Sequence, residues 1–223
     1  MPYYPILVDL TGKKVVVVGG GRVGQRKIET LLEHGAKVYV VSTELTPGLR
    51  GFLEEERITC LGREFKREQI EGAFLVIAAT DDPSLNHAVS ACAQEKGILV
   101  NAVDQPLDCT FIVPSILKRG DLLIAVSTSG KSPAMAKKIR EDLESLYGSE
   151  YEPFLVLLGK LREEILRKGF SQAENRTLFD RVINAPVLDM IRKEEWEGIA
   201  LLLSEVLEHP VPKEKVIEFL KAE

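Results

Sequence analysis

The sequence predicts an α/β protein, with a parallel sheet near the N-terminus, then a short hairpin segment, then helices only. Over residues 1 to about 113, short apolar runs alternate with helical patterns, which is typical of a doubly wound parallel sheet. These runs, such as 74–79, are almost continuously apolar, as expected for strands covered on both faces. From about residue 152 onwards, apolar residues recur only at helical spacing.

The individual elements follow from these runs and from the residues that interrupt them. The sheet should contain strands 14–18, 37–41, 57–61, 74–79 and 98–103, separated by helices 22–34, 47–55 and 83–96. Two further apolar runs flank a short turn at 118–121 and predict a hairpin with strands 111–117 and 122–127. Ser132 and Pro133 then begin a helix that should reach about Tyr147.

The C-terminal region carries helical patterns without a recognisable chemical motif. Phe154, Leu158, Leu161 and Ile165 recur at helical spacing and predict a first helix. Further helices are predicted at 172–183, 186–192, 195–208 and 213–222.

A glycine-rich turn follows the first predicted strand. Four consecutive valines, 15–18, lead directly into Gly19, Gly21 and Gly24, which have Gly-x-Gly-x-x-Gly spacing, and a helical pattern comes next. Such glycines permit a tight turn and a close approach of the backbone to a pyrophosphate, which the N-terminus of the helix then attracts. Strand, turn and helix in this order predict a Rossmann-type dinucleotide site, whereas the glycines alone would fit a purely structural turn.

The residues after the second predicted strand bear on the type of dinucleotide. Ser42, Thr43 and Glu44 stand where a carboxylate usually binds the ribose hydroxyls of NAD. Positions 42–46 contain no arginine or lysine to hold a 2′-phosphate, so NAD is favoured over NADP. Arg22, inside the glycine turn, keeps NADP open, and an ordinary polar loop is the structural alternative.

Polar residues also follow the fourth and fifth predicted strands. In open α/β sheets, ligands bind outside the carboxyl ends of the strands, which makes Thr80 and Asn101 candidate binding residues. Asp104 is the best candidate for a catalytic group, because a carboxylate beside the expected nicotinamide position could accept or donate a proton. A structural turn or cap is the alternative for Asp104, and Asp108 is a weaker rival.

A basic segment without acidic residues extends from 122 to 140. It holds the hydroxyl residues Ser127, Thr128 and Ser129, followed by Lys131 at the start of a helix, an arrangement that can bind anions. This would suit a substrate with several carboxylates, while a solvated basic helix face fits equally well.

Composition excludes several classes of function. A net charge of −5 argues against a general nucleic-acid binder. No apolar run reaches the roughly 18 residues of a membrane span, and the start of the sequence lacks the pattern of a signal peptide, so a cytoplasmic location is expected. The three cysteines form neither a disulfide framework nor a metal motif, so no metal site is predicted.

Taken in order, these motifs resemble the precorrin-2 dehydrogenases of siroheme biosynthesis, including the N-terminal module of siroheme synthase. The resemblance spans roughly residues 3–147 and rests on matching segments at 4–6, 18–24, 26–27, 78–82, 86, 101–104, 111–115, 125–133 and 140.

The resemblance implies a function and assigns residues to it. Precorrin-2 would be oxidised to sirohydrochlorin with NAD⁺, and some members of the family also insert Fe²⁺. The essential aspartate falls on Asp104, and the NAD contacts fall on Arg22-Val23 and Thr43-Glu44. The segment of about 114–147 would help to build a homodimer, with the substrate between it and the cofactor.

Three domains are therefore predicted: a Rossmann NAD-binding domain at 1–113, a dimerisation and substrate segment at 114–148, and a helical domain at 149–223. Two other functions stay open on the sequence alone. One is another small Rossmann oxidoreductase, and the other is a non-catalytic NAD-sensing module, which would not need Asp104.

Overall fold

The computed structural model of the chain describes residues 3–220 and divides into two compact units, with the boundary between Val113 and Pro114. The further division predicted near residue 148 stays a prediction. No helix within the described residues is long and apolar enough to cross a membrane.

The first unit is built on a five-stranded parallel sheet. Its strands are β1 (Lys14–Val18), β2 (Lys37–Val41), β3 (Ile58–Gly62), β4 (Leu75–Ala78) and β5 (Leu99–Ala102). Their order is β3-β2-β1-β4-β5, so the chain reverses direction across the sheet between β1 and β4. The crevice outside the carboxyl ends of these two strands is where such folds bind ligands.

Both faces of the sheet are covered, which explains the run of valines in β1. Side chains alternate along a strand, so Val15 and Val17 join one hydrophobic cluster while Val16 and Val18 join another. Helices α1 (Arg22–Glu33) and α2 (Pro47–Glu54) cover the Val15 face, and α3 (Pro83–Glu95) covers the Val16 face. The predicted α/β class is confirmed.

The second unit contains a hairpin and six helices within the described residues. The elements are β6 (Ser115–Arg119), β7 (Leu122–Val126), α4 (Pro133–Leu146), α5 (Tyr151–Arg167), α6 (Gln172–Asn184), α7 (Val187–Arg192), α8 (Trp196–Leu207) and α9 (Lys213–Phe219). Helix α5 buries Phe154, Leu161 and Ile165 as predicted, but Leu157 is fully buried where the pattern indicated Leu158. Positions 221 and 222 of the predicted last helix lie outside the described residues.

The first hairpin strand begins later than predicted. Phe111 contributes to the hydrophobic cluster under the sheet, and its carbonyl oxygen accepts a hydrogen bond from Asn101 Nδ2 at 3.1 Å. These contacts fasten residue 111 to the first unit, and β6 starts only at Ser115. Asn101, in turn, lies within β5 rather than after it.

Candidate functional site

The glycines of the turn bring three elements into close contact. A Cβ on Gly19 would lie 2.2 Å from the carbonyl oxygen of Ala79, and the φ of Gly19 is +118°. A Cβ on Gly24 would lie 2.1 Å from the carbonyl oxygen of Gly19. Only glycine therefore fits at these two positions, where β1, the end of β4 and the first turn of α1 meet.

Gly21 serves a different purpose from its two neighbours. A Cβ at Gly21 would meet nothing within 4 Å, and its backbone is extended, with φ −77° and ψ −172°. Gly21 is also the N-cap of α1, whose first turn has neither a side-chain cap nor an acidic residue. The amide groups of this turn, which Arg22 begins, are thus left available to an anion.

The loop after β2 is fastened to the glycine turn. Gly20 N donates to Ser42 Oγ at 2.9 Å, and Ser42 Oγ donates to the carbonyl oxygen of Glu44 at 2.6 Å. Thr46 N donates to the carbonyl oxygen of Gly20 at 3.1 Å. The hydroxyl of Ser42 is therefore engaged in positioning the loop, whereas the side chains of Thr43 and Glu44 are exposed.

A cavity of about 710 Å³ lies along this edge of the sheet. The predicted residues Gly19, Gly21, Ser42, Thr43, Glu44 and Thr80 all line it. The uncapped α1, the open Gly21 and this cavity together fit a bound dinucleotide, and a volume of this size is ordinary for a cofactor site.

Val23 and Gly24, two predicted cofactor residues, do not line this cavity, whereas the unpredicted Arg63 does. Val23 packs against the hydrophobic cluster of the α1 face, and Gly24 is buried under the turn, so any contact from them would be made by the backbone. Arg63, which follows β3, lines the cavity together with Ser42–Thr46. Residues 42–46 alone could not indicate Arg63, because β3 approaches this loop only in the folded sheet.

Thr80 is held in place by a buried amide. Asn86, only 3% exposed, accepts hydrogen bonds from the Thr80 backbone at 3.1 Å and from the Thr80 hydroxyl at 2.7 Å. Its Nδ2 donates to the carbonyl oxygen of Thr80 at 2.9 Å. A polar side chain on an otherwise apolar helix face signals such a role, and Asn86 belongs to the site as a positioning residue.

Asp104 stands free at the carboxyl end of β5. Val103 N donates to the carbonyl oxygen of Ala78 at 2.9 Å, so the Asp104 turn is joined to the end of β4 beside the cavity. The φ of Asp104 is +60°, a conformation that few residues other than glycine, Asn and Asp adopt. Within residues 3–220 its carboxylate has no hydrogen-bond or ion-pair partner, which argues against the alternative of a structural cap.

The rival carboxylate, Asp108, is engaged by the fold. Its Oδ1 lies 2.8 Å from His87 Nδ1, and its carbonyl oxygen accepts a hydrogen bond from Ser90 Oγ. Nearby, Cys109 Sγ lies 3.2 Å from Ala102 N, and burial raises the pKa of this thiol. Residues 105–109 thus clamp the loop that carries Asp104.

The hydroxyl residues of the second unit form a turn before α4. Thr128 Oγ1 donates to the carbonyl oxygen of Ser132 at 3.0 Å and accepts from Ser132 N at 3.1 Å, so the Thr128 hydroxyl is bound within its own turn. Ser127, Ser129 and Lys131 are exposed, and Ser129 has a φ of +52°.

The basic character of this segment is mostly neutralised by the chain itself. Lys137, Lys138 and Arg140 form ion pairs with the acidic side chains one turn further along α4: Glu141, Asp142 and Glu144. For Lys137 and Lys138 the structure favours a solvated helix face, whereas the Arg140 side chain is only 21% exposed. Lys131 has neither a hydrogen bond nor an ion pair through its ammonium within the described residues.

Fold and cavity together define a dinucleotide-binding α/β protein. Comparison with known families agrees: the model described as "Putative NAD(P)-binding" matches residues 6–115, and the model "Sirohaem biosynthesis protein central" matches residues 119–146. The chain is thus similar to NAD(P)-binding domains over its first unit and to sirohaem biosynthesis proteins over residues 119–146. The predicted NAD site is thereby confirmed to the level of an NAD(P)-binding domain.

Two curated proteins that are similar to this chain are named siroheme synthases. The siroheme synthase of Photorhabdus laumondii is 38% identical over 208 residues, which cover 93% of this chain and 44% of the relative. Siroheme synthase 2 of Yersinia pestis is 39% identical over 194 residues, or 86% of this chain and 41% of that protein. The chain thus spans less than half the length of these relatives.

One solved structure is matched over its whole length. The structure "SirC, precorrin-2 dehydrogenase" matches with a TM-score of 0.78 and 26% identity, over 93% of this chain and 100% of the other. The likeness includes part of the C-terminal helices, because the matched share of this chain extends well beyond the first unit.

Proposed function

We propose that this protein oxidises precorrin-2 to sirohydrochlorin with NAD⁺ as the hydride acceptor. The observation that carries the proposal is the free carboxylate of Asp104 at the end of β5. Strand β5 pairs with β4, and the residues after β4 line the dinucleotide cavity. The names of the similar proteins support the substrate.

The reaction removes one hydride and one proton from the macrocycle and yields sirohydrochlorin, NADH and H⁺. NAD⁺ supplies the hydride acceptor when it is bound. Asp104 would accept the proton, and its exposed carboxylate is available because no side chain within residues 3–220 pairs with it.

Specific residues would hold the two ligands. The uncapped turn at Gly21-Arg22-Val23 would bind the pyrophosphate of NAD, and Thr43 and Glu44 would bind the adenosine ribose. Gly19, Gly24 and Ser42 would shape this site rather than contact the cofactor through side chains, and Thr80 would stand at its centre. Among the predicted substrate contacts, Ser127, Ser129 and Lys131 are exposed and available, whereas Thr128 and Asn101 are engaged in structural hydrogen bonds.

A homodimer built through the central segment is the proposed assembly. Helix α4 exposes Met135 by 53%, Ile139 by 38% and Leu146 by 65%. Their spacing of four and seven residues puts them on one side of the helix, where a second copy could cover them. A cytoplasmic location stays a prediction.

We propose iron insertion, with Fe²⁺ as a substrate, as a second activity. It needs a base to remove pyrrole protons, and Asp104 could serve in that step as well. Addition of Fe²⁺ to sirohydrochlorin with and without the protein would test this separately, and a rate equal to the uncatalysed one would argue for a dehydrogenase alone.

Turnover of precorrin-2 tests the main proposal. Purified protein is mixed with precorrin-2 and NAD⁺, and the absorbance of sirohydrochlorin and NADH is followed. A non-catalytic sensor would bind NADH without any turnover, and another oxidoreductase would leave precorrin-2 unchanged while oxidising a different substrate.

A further inference from the structure

Lys27 is a half-buried cation with an unusual lack of partners. It lies in α1 next to Ile28, which is fully buried. Within residues 3–220, the Lys27 ammonium takes part in neither a hydrogen bond nor an ion pair. Burial lowers the pKa of Lys27, the neighbouring Arg26 lowers it further, and no carboxylate opposes them. Leaving an ammonium partly buried and unpaired is unfavourable, and an anionic group placed beside Lys27 would reduce that cost.

The position of Lys27 relates it to the loop that carries Asp104. Val23 precedes Lys27 by one helical turn on the same side of α1, and Val23 belongs to the hydrophobic cluster that also includes Val103 and Phe111. Cys109, which closes that loop, opposes the lowering of the Lys27 pKa.

Lys27 lies outside the dinucleotide cavity, whose lining comes from the ends of β1, β2 and β4 and the segment after β3. Alternation along β5 turns Asn101 to the same face of the sheet as Leu99 and Val103, which is the face that α1 covers. An anionic ligand of Lys27 would thus approach from the side of β5.

We infer that Lys27 binds a carboxylate of the tetrapyrrole and positions it against Asp104. This inference rests on the proposed function, because a substrate rich in carboxylates is what supplies the anion. It also fits the pairing of Lys137, Lys138 and Arg140 within α4, which leaves fewer cations free for the substrate.

Direct binding measurements on the full chain test the inference. Sirohydrochlorin and NADH are titrated separately into wild type, Lys27→Met, Lys27→Arg and the control Arg26→Met, which removes an exposed cation one residue away. We expect Lys27→Met to weaken sirohydrochlorin binding about tenfold, from the loss of one hydrogen bond between charged groups. Lys27→Arg should recover part of this loss, and NADH binding should not change in any variant.

Thermal unfolding separates a binding role from a structural one. If Lys27 only held the fold, Lys27→Met would lower Tm, whereas removal of an unpaired half-buried cation should leave Tm equal or higher. Unchanged sirohydrochlorin affinity in Lys27→Met, or a loss confined to NADH, would overturn the inference while leaving the proposed function intact. Failure of the wild type to bind sirohydrochlorin would overturn both.

Discussion

Alanine substitutions at two positions of the glycine turn should have different consequences. Gly24→Ala should lower stability, and Gly21→Ala should weaken NADH binding. At Gly24, the new Cβ would lie 2.1 Å from the carbonyl oxygen of Gly19. An ordinary C···O contact is about 3.3 Å, so the turn and α1 would have to separate by about 1.2 Å. Because the atom in the way is backbone, we expect a cost of about 3 kcal/mol, at the upper end for overpacking, which lowers Tm by about 6–12 °C.

At Gly21, by contrast, the Cβ would enter open space from an extended backbone that alanine adopts freely. The stability of Gly21→Ala should stay within about 0.5 kcal/mol of wild type. The methyl group would, however, keep a pyrophosphate away from the amides of α1. Losing one such hydrogen bond to a charged group should weaken NADH binding about tenfold, and losing two about a hundredfold.

The assay combines thermal unfolding with NADH titration by fluorescence for both variants and wild type. We expect the two effects to separate. Gly24→Ala should lose stability, and Gly21→Ala should lose NADH affinity while its stability stays constant. If Gly21→Ala bound NADH as tightly as wild type, the assignment of the α1 N-terminus to the pyrophosphate would be wrong.

Three further substitutions test other parts of the account. Asp104→Asn should reduce turnover of precorrin-2 by about 10²-fold or more without changing NADH affinity or Tm, because asparagine tolerates the positive φ and the carboxylate has no partner within the described residues; wild-type turnover in this variant would exclude Asp104 as the base. Asn86→Ala removes three hydrogen bonds around Thr80 and should cost about 2–3 kcal/mol, measured by urea unfolding, and an unchanged midpoint would contradict the positioning role. Ile139→Lys should shift the protein from dimer to monomer in light scattering, and a dimer that persists would place the interface elsewhere.

The sheet and its glycine turn could be predicted because their signals are local. Four valines in a row indicate a strand covered on both faces, and the spacing of Gly19, Gly21 and Gly24 requires no knowledge of the rest of the chain. Asp104 could be predicted as a site residue for a similar reason, because it directly follows an apolar strand. The family resemblance added the substrate, which spacing alone could not provide.

Other parts of the site depend on contacts between distant segments. Arg63 reaches the cavity only because β3 pairs with β2, 20 or so residues away in the chain, and Phe111 is held to the sheet by Asn101. The basic segment looked available for a substrate because its acidic partners lie beyond residue 140, in the next turn of α4. The spacing of the α-helix brings each basic side chain beside an acidic one. A count of basic residues does not show this pairing.

The stoichiometry of a single turnover reaction tests the central claim most directly. Wild-type protein, precorrin-2 and NAD⁺ should give NADH and sirohydrochlorin in equal amounts, with neither product forming when NAD⁺ is left out. Sirohydrochlorin formed without NADH, or no reaction at all with correctly folded protein that binds NADH, would contradict the account.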